Sequence, residues 1–315
     1  MIKTTAEKIE LFYQKESRVN AMGGEKQIAK QHGLGKLTAR ERVNLLFDPD
    51  TFQETDKFVT HQCTYFNMDK VEIPADGVIT GYGKVNGRLV YVFAQDFTSV
   101  GGTMGLAQAE KICKIMDIAA SVGAPVVGLN DSGGARIQEG INSLSGYGKM
   151  FLRNIRYSGV IPQITAIMGP TAGGAVYSPA MMDFIFMVKG TGQMFITGPE
   201  VIKAAIGEII SPEELGGAIT HNKISGNAHF VCDNDVDCID QIKKLLSYLP
   251  SNNQEAPPVT ECHDPANRVE DKLNTIIPDA ANRVYNMKQL IKMLVDNGED
   301  FEVQPLYSPN LLTLF

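Results

Sequence analysis

The chain has 315 residues, 43% hydrophobic and 21% charged, with a formal charge of −7. That balance is the one of a folded globular protein. It excludes a nucleic-acid binder held by a basic stripe. No apolar run approaches the roughly 18 residues of a membrane-spanning helix.

The N-terminal stretch MIKTTAEKIELFYQKE is amphipathic and charged, without the apolar centre of a signal peptide. The five cysteines, Cys63, Cys113, Cys232, Cys238 and Cys262, are odd in number and lack CxxC spacing. They read as reduced thiols of a cytoplasmic protein. None of His32, His61, His221, His229 and His263 has metal-ligand spacing to another, so no metal site is expected.

Residues 3 to 48 read as helical, broken at Gly23-Gly24 and near Gly33, with Ile9, Leu11, Phe12 and Val19 as an apolar stripe. Thr38, with Glu41 three residues on, forms a capping-box pattern for a helix to Phe47. Asp48-Pro49 ends it. Residues 78–85 and 88–94 flank Asn86-Gly87, the strongest short hairpin signal. A strand, glycine turn and helix then recur. Residues 99–105 open a helix over 106–122. The strand 125–129 leads through Asp131-Ser132-Gly133-Gly134 into a helix ending near Tyr157. The strand 161–168 leads through Gly169 to Gly174 into a short helix near Ser178 to Met182. Met194 to Thr197 leads into a helix from Glu200. This alternation implies a largely parallel sheet covered by helices. Residues 251–268 read as a linker, and a last helix is expected over Ala280 to Asp296.

The two loops Asp131–Arg136 and Gly169–Pro179 carry the chemistry. Paired glycines let backbone approach a ligand closely. Free amides opening the following helix can form an oxyanion hole for a thioester that becomes an enolate. The alternative is that the glycines serve only tight turns and packing. Ser132 sits in a strand–loop–helix unit without the GxSxG elbow, and reads as a loop hydrogen-bonder. Glu139 is either a base, as in hydratases, or a carboxylate on a helix dipole. Lys36, Arg40 and Arg42 form a cationic cluster able to meet the phosphates of a ligand, or an ordinary solvated helix face.

Several longer motifs then fall into place: GKLTARER at 35–42, PADGV at 74–78, FAQDFT at 93–98, DSGGARIQEG at 131–140, GPTAGGAVYSPA at 169–180 and LGG at 215–217. Over nearly all of residues 20–300 the sequence resembles the carboxyltransferase subunits of acyl-CoA carboxylases. Propionyl-CoA and methylmalonyl-CoA carboxyltransferases, and decarboxylase α subunits, are the nearest type. The resemblance implies an α/β, crotonase-like fold of stacked ββα units. An N-terminal helical extension (1–50), an acyl-CoA-binding domain (51–250) and a linker with the start of a second half (251–315) are expected.

It also implies biotin, as carboxybiotin on a carrier protein, and a CoA thioester substrate. The biotin carboxyl carrier protein, a C-terminal carboxyltransferase half and further copies of the chain are the implied partners. Gly133, Gly134, Gly173 and Gly174 are the implied backbone oxyanion donors. Ser132, Ala135, Arg136, Ala172, Ala175, Tyr177, Lys36 and Arg40 are the expected substrate contacts. Family members usually carry both halves on one chain. This one ends at 307–313, where the second half's first strand is expected, so a fragment, a truncated gene product or one half of a split pair is implied. An enoyl-CoA hydratase or isomerase on the same fold, and a non-catalytic CoA-binding half-subunit, are the competing readings.

Overall fold

The computed structural model describes residues 4–315. Lys3, where the expected helical stretch starts, lies outside them. Three helices come first: α1 (Thr5–Asn20), α2 (Glu25–Gly33) and α3 (Ala39–Leu46). The breaks fall at the glycines. The Thr38 capping box is formed, with the Glu41 amide donating to the Thr38 hydroxyl at 3.3 Å and the Thr38 amide to the Glu41 carboxylate at 2.8 Å. Of the expected apolar stripe, Val19 is buried, whereas Ile9 and Phe12 are exposed.

Then follow β1 (Gln53–Thr55), β2 (Val78–Val85), β3 (Arg88–Gln95), α4 (Leu106–Val122), β4 (Val126–Ser132) and α5 (Ile141–Tyr157). Next come β5 (Gln163–Ala172), α6 (Gly174–Ala180), β6 (Phe184–Val188), β7 (Gln193–Phe195) and α7 (Pro199–Ile206). The short α8 (Pro212–Gly216) and α9 (Ala218–Thr220) lead to β8 (Phe230–Cys232) and α10 (Asp235–Tyr248). Beyond these lie α11 (Leu273–Ile276), α12 (Met287–Leu294) and the strand pair β9 (Glu302–Val303) and β10 (Thr313–Leu314). The last expected helix is shorter than Ala280–Asp296. Val284, on its expected apolar side, meets nothing and is exposed, so residues before Met287 gain no packing from a helical turn.

The main sheet runs β1-β2-β3-β4-β5-β6-β8. β1, β2 and β3 pair antiparallel, and every pairing from β3 onward is parallel. Asn86 and Gly87 both have positive φ, 50° and 78°, as a type I′ hairpin turn requires. β5 is the long strand. Its first part pairs with β6 through Ile164–Ile167, and its tail, Pro170–Ala172, pairs with β7. α3 and α10 cover one face of the sheet through Val43, Leu46, Ile239, Ile242 and Leu245. α4 and α5 cover the other through Ile112, Met116, Tyr147 and Met150. β4 is buried along its whole length, as a central parallel strand covered on both faces should be.

One charge cluster crosses this core. Asp131, the sixth residue of β4, is fully buried. Its carboxylate accepts from Lys36 Nζ at 2.8 Å, Arg42 Nη1 at 3.0 Å and Gln31 Nε2 at 3.0 Å. Arg42 Nε donates to Asp235 at the start of α10 at 2.7 Å, and its Nη2 donates to the Met168 carbonyl at 3.1 Å. Removing one member of such a set strands a buried opposite charge, at a cost of about 3–5 kcal/mol. Arg42→Met is expected to lower unfolding free energy by that order, measured by urea denaturation. A loss under about 1 kcal/mol, the range of an exposed pair, would contradict this account.

Candidate active site

The site is built where β4 and β5 end. β4 gives way to loop Ser132–Arg136, and the tail of β5 gives way to Gly173 and α6. The pairing of β4 with β5 shifts register between Asn130 and Ser132, just before the two loops. They touch: a Cβ on Gly134 would lie 2.8 Å from the Ala172 carbonyl oxygen. Gly134 has φ 98° and Gly173 has φ 59° and ψ −128°, conformations that suit glycine alone.

Residues 99–105 form a third wall. Gly133 N–H donates to the Gly101 carbonyl at 2.9 Å, and Met104 N–H donates to that of Gly134 at 2.9 Å. Ser132 is buried and its hydroxyl donates to the Gly102 carbonyl at 2.7 Å. It is the expected loop hydrogen-bonder, and no free nucleophile.

These bonds correct the expected donor set. Of the four glycine amides, Gly133 is occupied by Gly101, Gly134 by the Ser132 hydroxyl at 3.2 Å, and Gly173 by the Phe195 carbonyl at 3.2 Å. Among the described residues, the amides of Ala135, Gly174 and Ala175 have no acceptor within the chain. Gly133, Gly134 and Gly173 shape the loops; of the four expected donors Gly174 alone keeps a free amide, and Ala135 and Ala175 join it. Gly174 and Ala175 are the first residues of α6, whose opening amides have no intrahelical acceptor. α5 does not open directly on its loop, because a 3₁₀ turn at Ile137–Glu139 intervenes.

Three side-chain expectations are also corrected. Lys36 is buried on Asp131, and its ammonium lies 4.7 Å from the centre of the Phe97 ring. Burial lowers its pKa against the opposing pull of Asp131. Arg40 forks onto Glu54 of β1, at 3.0 and 3.3 Å. Neither is left to meet CoA phosphates. Arg136 is buried and clamps the loop instead of facing substrate. Its guanidinium donates to Asp76 at 2.5 Å, Glu139 at 2.8 Å and the Thr103 carbonyl at 2.8 Å.

Glu139 accepts from Arg136 with one oxygen and from the Leu106 amide at 2.8 Å with the other. It therefore caps α4: the helix-dipole role holds, but on α4 and not on the helix that follows its own loop. Tyr177 is 44% exposed beside Phe151, on the open side of α6. A cleft of about 500 Å³ between residues 56–65 and the start of α4 adjoins the site through Glu139. None of the free amides lines it.

Sequence reasoning did not assign the support beneath Arg136. The PADG turn holds Ala75 and Asp76 at φ 51° each, a left-handed conformation costly for both. Gln108 donates its amide to the Asp76 carboxylate at 2.7 Å and its side chain to the Asp76 carbonyl at 2.9 Å. Buried Lys111 donates to the carbonyls of Ala75 and Val78, both at 2.7 Å. The available signal was Lys111 on the apolar side of α4, where a lysine needs a buried partner.

Free backbone amides on two neighbouring loops can donate hydrogen bonds to an oxygen placed between them. A family model described as "Carboxyl transferase domain" matches residues 30–315, and the chain belongs to that family. Methylmalonyl-CoA decarboxylase subunit alpha of Veillonella parvula is 56% identical over 312 residues, 99% of this chain and 61% of that protein. The mitochondrial propionyl-CoA carboxylase beta chain of Homo sapiens is 56% identical over 295 residues, 93% of this chain and 55% of that protein. Among solved structures, a transcarboxylase 12S hexamer with methylmalonyl-coenzyme A and methylmalonic acid bound matches with TM-score 0.97 and 46% identity. That match covers 100% of this chain and 61% of the other. The mixed sheet is thus the crotonase-like one that the resemblance implied. The chain spans about three-fifths of the length of these relatives.

Lys111 gives the site's support a pH signature. Burial lowers its pKa from 10.5 to about 8. Between these two values the unfolded chain holds more protons than the folded one, so this residue's contribution to stability rises with pH across that window. Replacing it, Lys111→Met, should abolish the rise. Thermal midpoints of both proteins at pH 8 and pH 10 test this. An identical pH response in the two would refute it.

Proposed function

We propose that this chain is the acyl-CoA-binding half of a biotin-dependent carboxyltransferase, acting between carboxybiotin and propionyl-CoA or methylmalonyl-CoA. One observation carries the reading: the amides of Ala135, Gly174 and Ala175, which have no acceptor among the described residues, sit on two loops that meet at Gly134 and Ala172. Loss of the α-proton turns a thioester carbonyl into an enolate oxygen. Fixed amides aimed at that oxygen stabilise the charge without having to reorganise. Ala172, whose carbonyl lies against Gly134, and the exposed Tyr177 of α6 are the side chains proposed to meet the acyl group.

At the loops, among the described residues, Glu139 is the carboxylate that a hydratase or isomerase reaction would use. Both its oxygens are occupied, which disfavours that reaction. This fits a base brought from outside. Carboxybiotin on its carrier protein supplies the carboxyl group and, once that is released, a ureido nitrogen to take the proton. The chain's own residues hold the thioester, orient its α-carbon and keep the donors in place.

We further propose that the outer face of α5 seats the C-terminal carboxyltransferase half. Ile141, Leu144, Leu152 and Ile155 follow one helical stripe there and are all exposed, as an interface awaiting a partner would be. The relatives continue well beyond the region matched here. The transcarboxylase neighbour is a hexamer, and we propose an oligomer for this protein as well.

The test is carboxyl transfer to propionyl-CoA by the chain combined with a second carboxyltransferase half and a biotinylated carrier. Gly173→Ala strains a position at φ 59° and ψ −128° and displaces the amides that follow. Transfer should fall by roughly 100-fold or more, the scale of losing one oxyanion donor. Activity within threefold of the unaltered enzyme would count against the reading.

A further inference from the structure

The LGG motif at 215–217 lies outside both donor-bearing loops, yet it packs against the strand that closes the second one. That strand, β7, has only three residues and lies off the main path of the sheet. On one side it pairs with the tail of β5, where Gln193 faces Pro170. On its other side Gln193 bridges to Gly217. A Cβ on Gly216 would lie 2.1 Å from the Met194 carbonyl oxygen, so only glycine allows the approach.

The approach brings in His221, whose amide donates to the Gly217 carbonyl at 3.0 Å and which opens the π-type turn His221–Ser225. Its Nε2 lies 2.7 Å from the Met194 carbonyl oxygen. A carbonyl only accepts, so this nitrogen carries the hydrogen and donates. In the neutral ring Nδ1 then accepts, and the Ser225 hydroxyl donates to it at 2.8 Å. The imidazole is held at both nitrogens, in one orientation. The next residue of β7, Phe195, accepts the Gly173 amide at 3.2 Å with its carbonyl. The Met194 side chain packs with Val176 of α6 and Ala218 of α9 in one small core. A continuous support thus runs from His221 through β7 to the free amides of Gly174 and Ala175.

We propose that His221 is a positioning residue for carboxyl transfer. By donating to Met194 it fixes β7, and β7 fixes Gly173 and the donors that follow it. The inference rests on the carboxyltransferase reading, and adds a residue that acts through β7 without touching the reacting atoms. A strand this short makes few hydrogen bonds of its own, so losing this one lets it shift. Amides aimed at an enolate oxygen act mainly on the transition state, so the shift is read in kcat more than in KM.

The experiment compares His221→Leu and His221→Gln with the unaltered protein in the reconstituted enzyme, reading kcat, KM for propionyl-CoA and the thermal midpoint. Leucine fills similar space without a donor. Glutamine brings a side-chain amide to the place of Nε2 and keeps the donor. We expect kcat of the Leu variant to fall about tenfold with KM within about threefold. The Gln variant should recover to within about threefold of the unaltered kcat. In a Gly173→Ala background, His221→Leu should add little, because both changes reach the same amides. A Leu variant with unchanged kcat would overturn the proposal. So would a Gln variant as impaired as the Leu one, a loss carried by KM, or additive losses in the double variant. A Leu variant already unfolded at the assay temperature would overturn it too, since the contact would then serve folding alone. If the unaltered enzyme transfers no carboxyl group, the carboxyltransferase reading itself fails, whereas full transfer with an unimpaired Leu variant sinks this inference alone.

Discussion

The architecture depends on a single carboxylate buried in the middle of the sheet. Asp131 lies at the end of an apolar strand, where an isolated charge would be untenable. Lys36, Arg42 and Gln31 surround it, and Arg42 carries the contact on to Asp235. The N-terminal helices are thereby fastened beneath the strand that launches the first glycine loop. The next residue, Ser132, begins that loop's hydrogen-bond network. A charge pair of this kind adds little net stability over an apolar replacement. What it adds here is geometry, because the directions of its hydrogen bonds fix one docking of α2 and α3 on β4.

The glycines around the opening do a different job from the one their spacing suggests. Their amides mostly bind neighbouring loops: Gly133 to Gly101, Gly134 to Ser132 and Gly173 to Phe195. Each such bond makes the loop stiffer. The amides that remain open are carried on this stiffened frame, and donors that do not move when charge develops are the most effective kind. Below the frame, Arg136 passes the constraint to Asp76, and Lys111 passes it to α4.

Much of the scaffold was legible in the sequence because its signals are local. Thr38 with Glu41, Asn86-Gly87, and the alternation of apolar runs with glycine turns each specify structure within a few residues. β6, β8 and α10 escaped, as did the three-residue β1. The short strands offer too few residues for a period to emerge. The candidate site was half legible. The two glycine loops that meet in the structure were visible, but the partner of each amide was not, because it is set by a neighbouring loop or strand distant in sequence. Lys36 and Arg40 read as solvent-facing cations for the same reason. Lys36 meets its partner 95 residues away and Arg40 meets Glu54 on a strand that was not foreseen. The lone acid at the end of VVGLND was the clue that a buried cation had to exist.

The spacing of the Asp131 cluster along the chain has a consequence for synthesis at the ribosome. Lys36 and Arg42 can reach Asp131 once β4 has emerged, but the other side of Arg42 waits for Asp235, 193 residues after it. Contacts of such long range are slow to close. For the interval between them, the nascent protein carries a guanidinium with half its partners. The floor under the first loop is completed only when α10 arrives, so the order of translation makes the last helix of the core the latch on the first ones.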